Sequence, residues 1–414
     1  MRHPQAPAST SSFERSDREP ERVYGVGTKI LLQSNMFRAG PALRRLQISR
    51  IPSASYATTA ELPSLHRTVR VDNLPEGYNA NSIVDTIKAN PAEKIIPSKD
   101  HLLVRFFDEG TAKRCVEANR KQKDFLLRID DSTSPPVTPD TVALLAKYSA
   151  TRSIELRNVP ESFTEYQFVE ILSKYDGALC THFDRSGGLI EAQFLDIHQA
   201  YRAHVDFVEA GVRPTFVDSE SSIYPEWYSK QDTQPNLKRL VKISGLDNPQ
   251  IRRLCIGWTN NYDKVPSASY IVSRIGGKNE LLLYFPTSSL ARKFVREFEP
   301  LTKGRCQLTF EATERPIARG VVTALGLGAR RLVSLPFTED LPDVKRKQLA
   351  SFFFRFGRLD SRNLIVSEGQ LTIPFANIVG ATSFVHGMYH GLRDRPPAEL
   401  QEVRPTFFGA HHLA

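Results

Sequence analysis

Four strand-like runs recur along the chain at nearly constant intervals. TVRVDNLP opens the series near Val69, SIELRNVP follows near Ile154, LVKISGL near Val241 and RRLVSLP near Arg330, in steps of 85, 87 and 89 residues. Self-similarity at a fixed period means one supersecondary unit used several times. Each copy carries a later apolar strand ending in Phe: HLLVRF at Phe106, LIEAQF at Phe194, ELLLYF at Phe285 and QLTIPF at Phe375. The pentapeptide VRPTF occurs at 212–216 and again at 403–407, near the ends of the second and fourth copies. Function in such a chain lies in how a repeated unit uses its surface, not in one catalytic pocket.

The order of elements within a copy reads βαββαβ. In the first, a strand over Val69 to Val71 meets Asn73-Leu74-Pro75 and then a helix from about Asn81 to Lys88; a strand to Phe107 leads into the amphipathic helix TAKRCVEANR, and FLLRID closes the unit. The second copy repeats this with TEYQFVEILSKYDGAL, whose Phe168, Ile171 and Leu172 make a helical apolar stripe. The fourth has QLASFFFRFG, RNLIV, QLTIPF and a helix around Ile378 to Tyr389, while TNNYDKVPSAS makes a long irregular insert in the third. The resulting domains are 67–131, 152–219, 238–314 and 328–409. The Ser-, Pro- and Asp-rich stretches 132–151 and 220–237 read as linkers between them.

These residues resemble the RNA recognition motif family. Strand one of that family reads apolar, aromatic, apolar, any residue, Asn, Leu; VRVDNL and IELRNV match at every place except the aromatic. The resemblance spans roughly Arg67 to Gly409 less the linkers. It implies an α+β chain of tandem ferredoxin-like domains, each a four-stranded antiparallel sheet backed by two helices, and it implies RNA as the partner.

The chemistry by which such sheets usually read RNA is missing. Bases stack on aromatic side chains of strands one and three, each stack contributing about 1–3 kcal/mol. The strand-one position here is Arg70, Glu155, Lys242 and, aligned on the repeat, Arg331; the strand-three positions are His101, Leu189, Glu280 and Gln370, then Leu103, Glu191, Leu282 and Thr372. None is Phe, Tyr or Trp, and only His101 can stack. The terminal Phe of strand three alternates onto the helix side and belongs to the core.

Charge separates the copies. Residues 152–218 hold 6 Lys or Arg against 11 Asp or Glu, residues 238–314 hold 13 against 7, and residues 315–409 hold 13 against 8. Phosphate contacts supply most sequence-independent affinity and need cations, so the acidic second copy is expected to contact protein and the last two to hold RNA. The candidate contacts are Lys242, Arg274 and Lys278 in the third copy; Arg331, Lys345, Arg346, Lys347, Arg355 and Arg358 in the fourth; and Arg70 and His101 in the first. The run at 345–347 has a second reading as the solvated face of a helix. Tyr224, Trp227 and Tyr228 in the second linker either supply a stack or cap a neighbouring apolar surface.

No catalyst is called for. Cys115, Cys180, Cys255 and Cys306 stand far apart without a CxxC pair, and His386, His390, His411 and His412 lack ligand spacing in sequence, so neither a metal nor a cofactor is expected. LGLGARR lacks the third Gly of a dinucleotide loop. There is no apolar run long enough to span a membrane. Residues 23–60 contain no Asp or Glu but hold Lys29, Arg38, Arg44, Arg45 and Arg50 among Ser, Ala and Thr, the composition of a mitochondrial transit peptide, with Met36 as a candidate start. A basic tail is the plainer reading of the same stretch, and 1–62 is expected to lack structure either way. The net charge of +9 and pI near 9.3 suit an anionic partner. The sequence therefore points to a non-enzymatic RNA-associated protein of the mitochondrial matrix, acting on organellar transcripts or ribosomes. The alternative is a protein-interaction scaffold on the same fold that never touches RNA.

Overall fold

Alternation decides the first strand of every module. Val69 and Val71, Ile154 and Leu156, Val241 and Ile243, and Val333 and Leu335 are all 0% exposed, and the residues between them face the opposite side of the sheet. The computed structural model describes residues 66–87, 91–184, 188–217, 237–246, 274–275, 280–313, 317–337, 342–359, 364–367, 369–391 and 396–407. The N-terminal segment, the second linker up to 236 and the insert of the third copy lie outside them.

The first module comprises β1 (Thr68–Asp72), α1 (Ala80–Thr86), β2 (Ala92–Pro97), β3 (His101–Phe106), α2 (Glu109–Ala118) and β4 (Leu126–Ile129). A connecting helix, α3 (Pro139–Tyr148), follows. The second module is β5 (Ser153–Arg157), α4 (Glu165–Ser173), β6 (Leu179–Asp184), β7 (Leu189–Gln193), α5 (Ile197–Glu209) and β8 (Pro214–Phe216). The third shows β9 (Leu237–Ser244), β10 (Arg274–Ile275), β11 (Leu281–Tyr284), α6 (Ser288–Thr302) and β12 (Gln307–Thr313). After α7 (Arg319–Gly326), the fourth has β13 (Leu332–Pro336), α8 (Asp343–Phe353), β14 (Ile365–Ser367), β15 (Gln370–Pro374), α9 (Ile378–His390) and β16 (Thr406–Phe407). Each sheet is antiparallel, and its four strands lie in the order second, third, first, fourth. The α+β class, and the βαββαβ order of the first, second and fourth modules, are thus those read from the sequence; the stretch of the third module between its first two strands lies outside the described residues.

One local device builds the strand-to-helix turn in all four modules. Phe106, Phe194, Phe285 and Phe375 end strand three fully buried. Two residues later Asp108, Asp196, Thr287 and Asn377 adopt extended backbone and accept the N–H three residues on, capping the next helix. A cap of this kind contributes about 1 kcal/mol and ends the strand as it starts the helix. Both copies of VRPTF supply a fourth strand, pairing Phe216 with Ile154 and Phe407 with Val333.

Residues 132–151 are not the loose linker that their composition suggests. Thr138 caps α3, Pro139 occupies its first turn, and Val142, Ala143, Leu144 and Leu145 are buried. Pro and Thr here are helix-start signals rather than linker punctuation, and the VALLA run between them needs cover. That cover comes from α7, α9 and α5: one hydrophobic cluster contains α3, α7, most of the fourth module, Phe107 of the first module, and Ile197 and Tyr201 of the second. The LGLGARR stretch is the end of α7 and the turn into β13. Modules one and two also join directly, through Ile95 N–H to Leu195 O at 2.6 Å, Asn81 Nδ2 to Gly177 O at 2.9 Å, and Lys94 with Asp196 at 3.7 Å. The third module keeps a separate core of Val241, Ile243, Leu281, Leu283, Phe285, Phe294 and Phe298.

Candidate nucleic-acid interface

The outward face of the first sheet concentrates positive charge in register. Arg70 on β1 has Leu103 of β3 on one side and Arg128 of β4 on the other; Asp72 lies between His101 and Leu126. Arg105 stands opposite Thr68 and Lys94. Three arginines thus share a face with one aspartate, since Lys94 is engaged by Asp196. Arg70 Nε reaches Asp72 Oδ1 at 2.7 Å and Arg128 Nε reaches Oδ2 at 3.1 Å. Desolvation, the largest single influence, acts to raise the Asp72 carboxyl, but the hydrogen bonds and charges of Arg70 and Arg128 together outweigh it and hold the group below its ordinary value. One carboxylate therefore orients two guanidinium groups while neutralising only one charge. The Nε of Arg105 is buried with no hydrogen-bond partner. Planar guanidinium groups on a sheet face can pair with phosphate through two N–H donors or stack on a base.

The second sheet repels a polyanion. Glu155 and Glu191 are direct cross-strand neighbours, with Arg157 paired to Glu155. Burial, and then the charge of Asp85, pushes the Glu191 carboxyl above its ordinary value. On the third sheet Lys242 is bound to Glu280 at 2.7 Å, and that bond, with the nearby Glu311, raises its pKa, so this cation is already neutralised locally. Tyr284, facing outward at the end of β11, pairs across to Leu240. The centre of the fourth sheet is closed: Ser334 and Thr372, its outward register pair, are 5% and 6% exposed.

Arg331 is corrected by this geometry. It lies two residues before the first core residue of its strand, on the core side, and is 0% exposed with Nη1 on the carbonyl of Phe375 at 2.7 Å. Anchoring the fourth copy on Arg330 sets it three residues out of register; the equivalent of Arg70, Glu155 and Lys242 is Ser334. Arg67, Arg152 and Arg239 occupy the place of Arg331 in the other modules, and all are buried.

The remaining expected contacts are dispersed. Arg70 and His101 share the first sheet. Lys345, Arg346 and Lys347 lie on α8; Lys345 is paired with Glu399 at 3.3 Å, and the other two are at the helix surface. Arg355 and Arg358 lie just beyond that helix, on the solvent side. Arg274 is on β10 opposite Leu282, while Lys278, Tyr224, Trp227 and Tyr228 lie outside the described residues. Sequence reasoning missed Arg105 and Arg128. Extending the alternation from His101 and Leu103 by one more step, and onto strand four, reveals both.

No protein-family model matches this chain, and no curated protein does. Among solved structures it is similar to RNA recognition domains 1 and 2 of Sex-lethal from Drosophila melanogaster, at 13% identity over 36% of this chain and 99% of that one, with a TM-score of 0.15. The N-terminal three RNA binding domains of the yeast splicing factor Prp24 match at 14% identity over 55% and 91%, TM-score 0.18. The C. elegans NONO-1 homodimer matches at 12% identity over 59% and 92%, TM-score 0.17. At this level of superposition they add nothing to the sheet order and helix placement described above.

Proposed function

We propose that this chain is a non-enzymatic RNA-binding protein whose principal contact is the open sheet of the first module. The observation that carries the reading is that Arg70, Arg105 and Arg128 share the outward face of one sheet, with Arg70 and Arg128 both held by Asp72. Affinity would come from phosphate pairing and guanidinium stacking instead of aromatic stacks, with His101 the one ring at the edge. The surface cations of the fourth module, Arg346, Lys347, Arg355 and Arg358, extend the electrostatic footprint. The acid-free, Arg-rich stretch 23–60 supports delivery to the mitochondrial matrix, where the substrate would be organellar RNA in expression, processing or ribosome assembly. The glutamate pair of the second sheet supports a protein partner there.

The test is fluorescence anisotropy of the whole chain with a labelled single-stranded RNA across a salt series. Changing Arg70, Arg105 and Arg128 together to Glu should weaken binding at least tenfold. The slope of log affinity against log salt should flatten by roughly 0.7 for each phosphate that is no longer neutralised. Unchanged affinity in a variant that melts like the parent would defeat this placement. The scaffold reading is favoured by one feature, the closed centre of the fourth sheet, and it requires that the parent bind no RNA at all while protein partners co-purify.

A further inference from the structure

Three segments distant in sequence bring a carboxylate and two imidazoles to one point. Asp140 sits in the first turn of α3, His198 is the second residue of α5, and His390 is the last of α9. One ligand atom from each lies within 4.8 Å of the other two. Asp140 Oδ2 is 3.3 Å from His198 Nδ1, and Oδ1 is 2.7 Å from His390 Nε2. Ligands around a tetrahedral zinc ion, each about 2.0–2.2 Å from the metal, stand about 3.3 Å apart. The three atoms need to shift by no more than side-chain rotation allows.

Two further features point to a cation at this spot. First, His198 Nε2 is 2.9 Å from the hydroxyl oxygen of Thr141, whose O–H can in turn be given to Thr138 Oγ1 at 2.9 Å. In the tautomer that carries its proton on Nε2, His198 turns the lone pair of Nδ1 toward the Asp140 carboxylate. A cation between those two atoms, 3.3 Å apart, satisfies both in that tautomer, whereas the other tautomer donates Nδ1–H to Asp140 directly. Metal-ligating histidines characteristically give their other N–H to such an acceptor. Second, Asp140 Oδ1 is a buried oxygen without a hydrogen bond of acceptable geometry, although His390 Nε2 lies close to it. Buried charge of this kind is matched by a partner or a metal.

We propose that Asp140, His198 and His390 form a zinc-class divalent metal site that staples the connecting helix to the second and fourth modules. Two imidazoles and one carboxylate suit zinc in preference to calcium or magnesium, which take oxygen ligands. The side chains of His198 and His390 are 30% and 20% exposed, so water completes the coordination from the open side. The site performs no reaction; it locks three helices whose apolar faces already meet, and it is independent of the RNA-binding reading.

The whole chain, stripped with chelator and dialysed, is titrated with Zn²⁺ by calorimetry and with Co²⁺ by visible absorption. One ion should bind per chain with the intense d–d bands of low-coordinate cobalt, and the melting temperature should rise with zinc. Asp140→Asn and His390→Gln should weaken zinc binding by more than about 100-fold, and Thr141→Val, which alters only the outer support, by about 10–100-fold. Far-UV circular dichroism confirms that each variant is folded. Absence of binding by the parent would overturn the site and leave a histidine–aspartate ion pair. Zinc binding that persists unchanged in folded Asp140→Asn and His390→Gln would place the ion elsewhere and overturn it equally.

Discussion

Arg67, Arg152, Arg239 and Arg331 show how one residue type divides between structure and function according to the parity of its position. Each lies two residues ahead of the first core residue of strand one and therefore points inward. Arg152 and Arg331 donate to the carbonyls of Phe194 and Phe375, at 2.8 and 2.7 Å, and Arg67 does the same to Phe106 while pairing with Glu93 and reaching Pro135 O. Desolvation pulls the Arg152 guanidinium down to about 10, against Asp85 and Asp196, which leaves it charged at neutral pH. Arg67→Met would strand Glu93 as an unpaired buried carboxylate. We expect a loss of about 3–5 kcal/mol, read from urea denaturation. Arg105→Met, on the open face, should change stability by less than about 0.5 kcal/mol yet weaken RNA binding. A reversal of these two effects would mean that the inward and outward faces have been misassigned.

At the scale of elements, α3 decides most about how the modules are joined. Its apolar run is visible in the sequence, but composition on either side resembles a linker, and nothing local announces what a ten-residue helix packs against. Leu144 is fully buried in the shared cluster, so Leu144→Ala should cost about 2–5 kcal/mol, as core truncation does. Gly320 on α7 permits the close approach: a Cβ there would stand 2.0 Å from the carbonyl oxygen of Leu145. Gly320→Ala should therefore cost about 1–3 kcal/mol through overpacking. Thermal melts of both variants check this, since a true linker would tolerate either change. The repeated Phe and cap, by contrast, are legible, because both halves of that device lie within three residues of each other.

For the molecule as a whole, the distribution of cores predicts two units of unfolding. Modules one and two have cores of their own but are tied to the fourth through Phe107, Ile197 and Tyr201 in the cluster around α3 and α7, whereas the described core of the third module is made of its own residues alone. Calorimetry should resolve two transitions. Leu144→Ala should lower only one of them, and Phe294→Ala, in the third core, only the other. A single transition lowered by both variants would show that the third module is coupled to the rest. Charge divides differently: the second sheet, with Glu155 beside Glu191, is joined directly to a first module that is near neutral as a whole but carries Arg70, Arg105 and Arg128 on its outward face.

The sequence by itself determined the repeat, the βαββαβ order, the burial of the four strand-three phenylalanines and the lack of Phe, Tyr or Trp at the twelve strand-one and strand-three positions. These depend on period, alternation and caps, all of which act between near neighbours. Tertiary structure alone decided which cations lie together on an open face. Lys242 is neutralised by Glu280 at the start of a neighbouring strand, Arg331 points inward because it shares the parity of Val333 and Leu335, and Arg70, Arg105 and Arg128 come together only when three strands pair. It also gathered Asp140, His198 and His390 from three helices. Electrostatics and coordination act through space, and the distances that govern them exist only once the helices have packed.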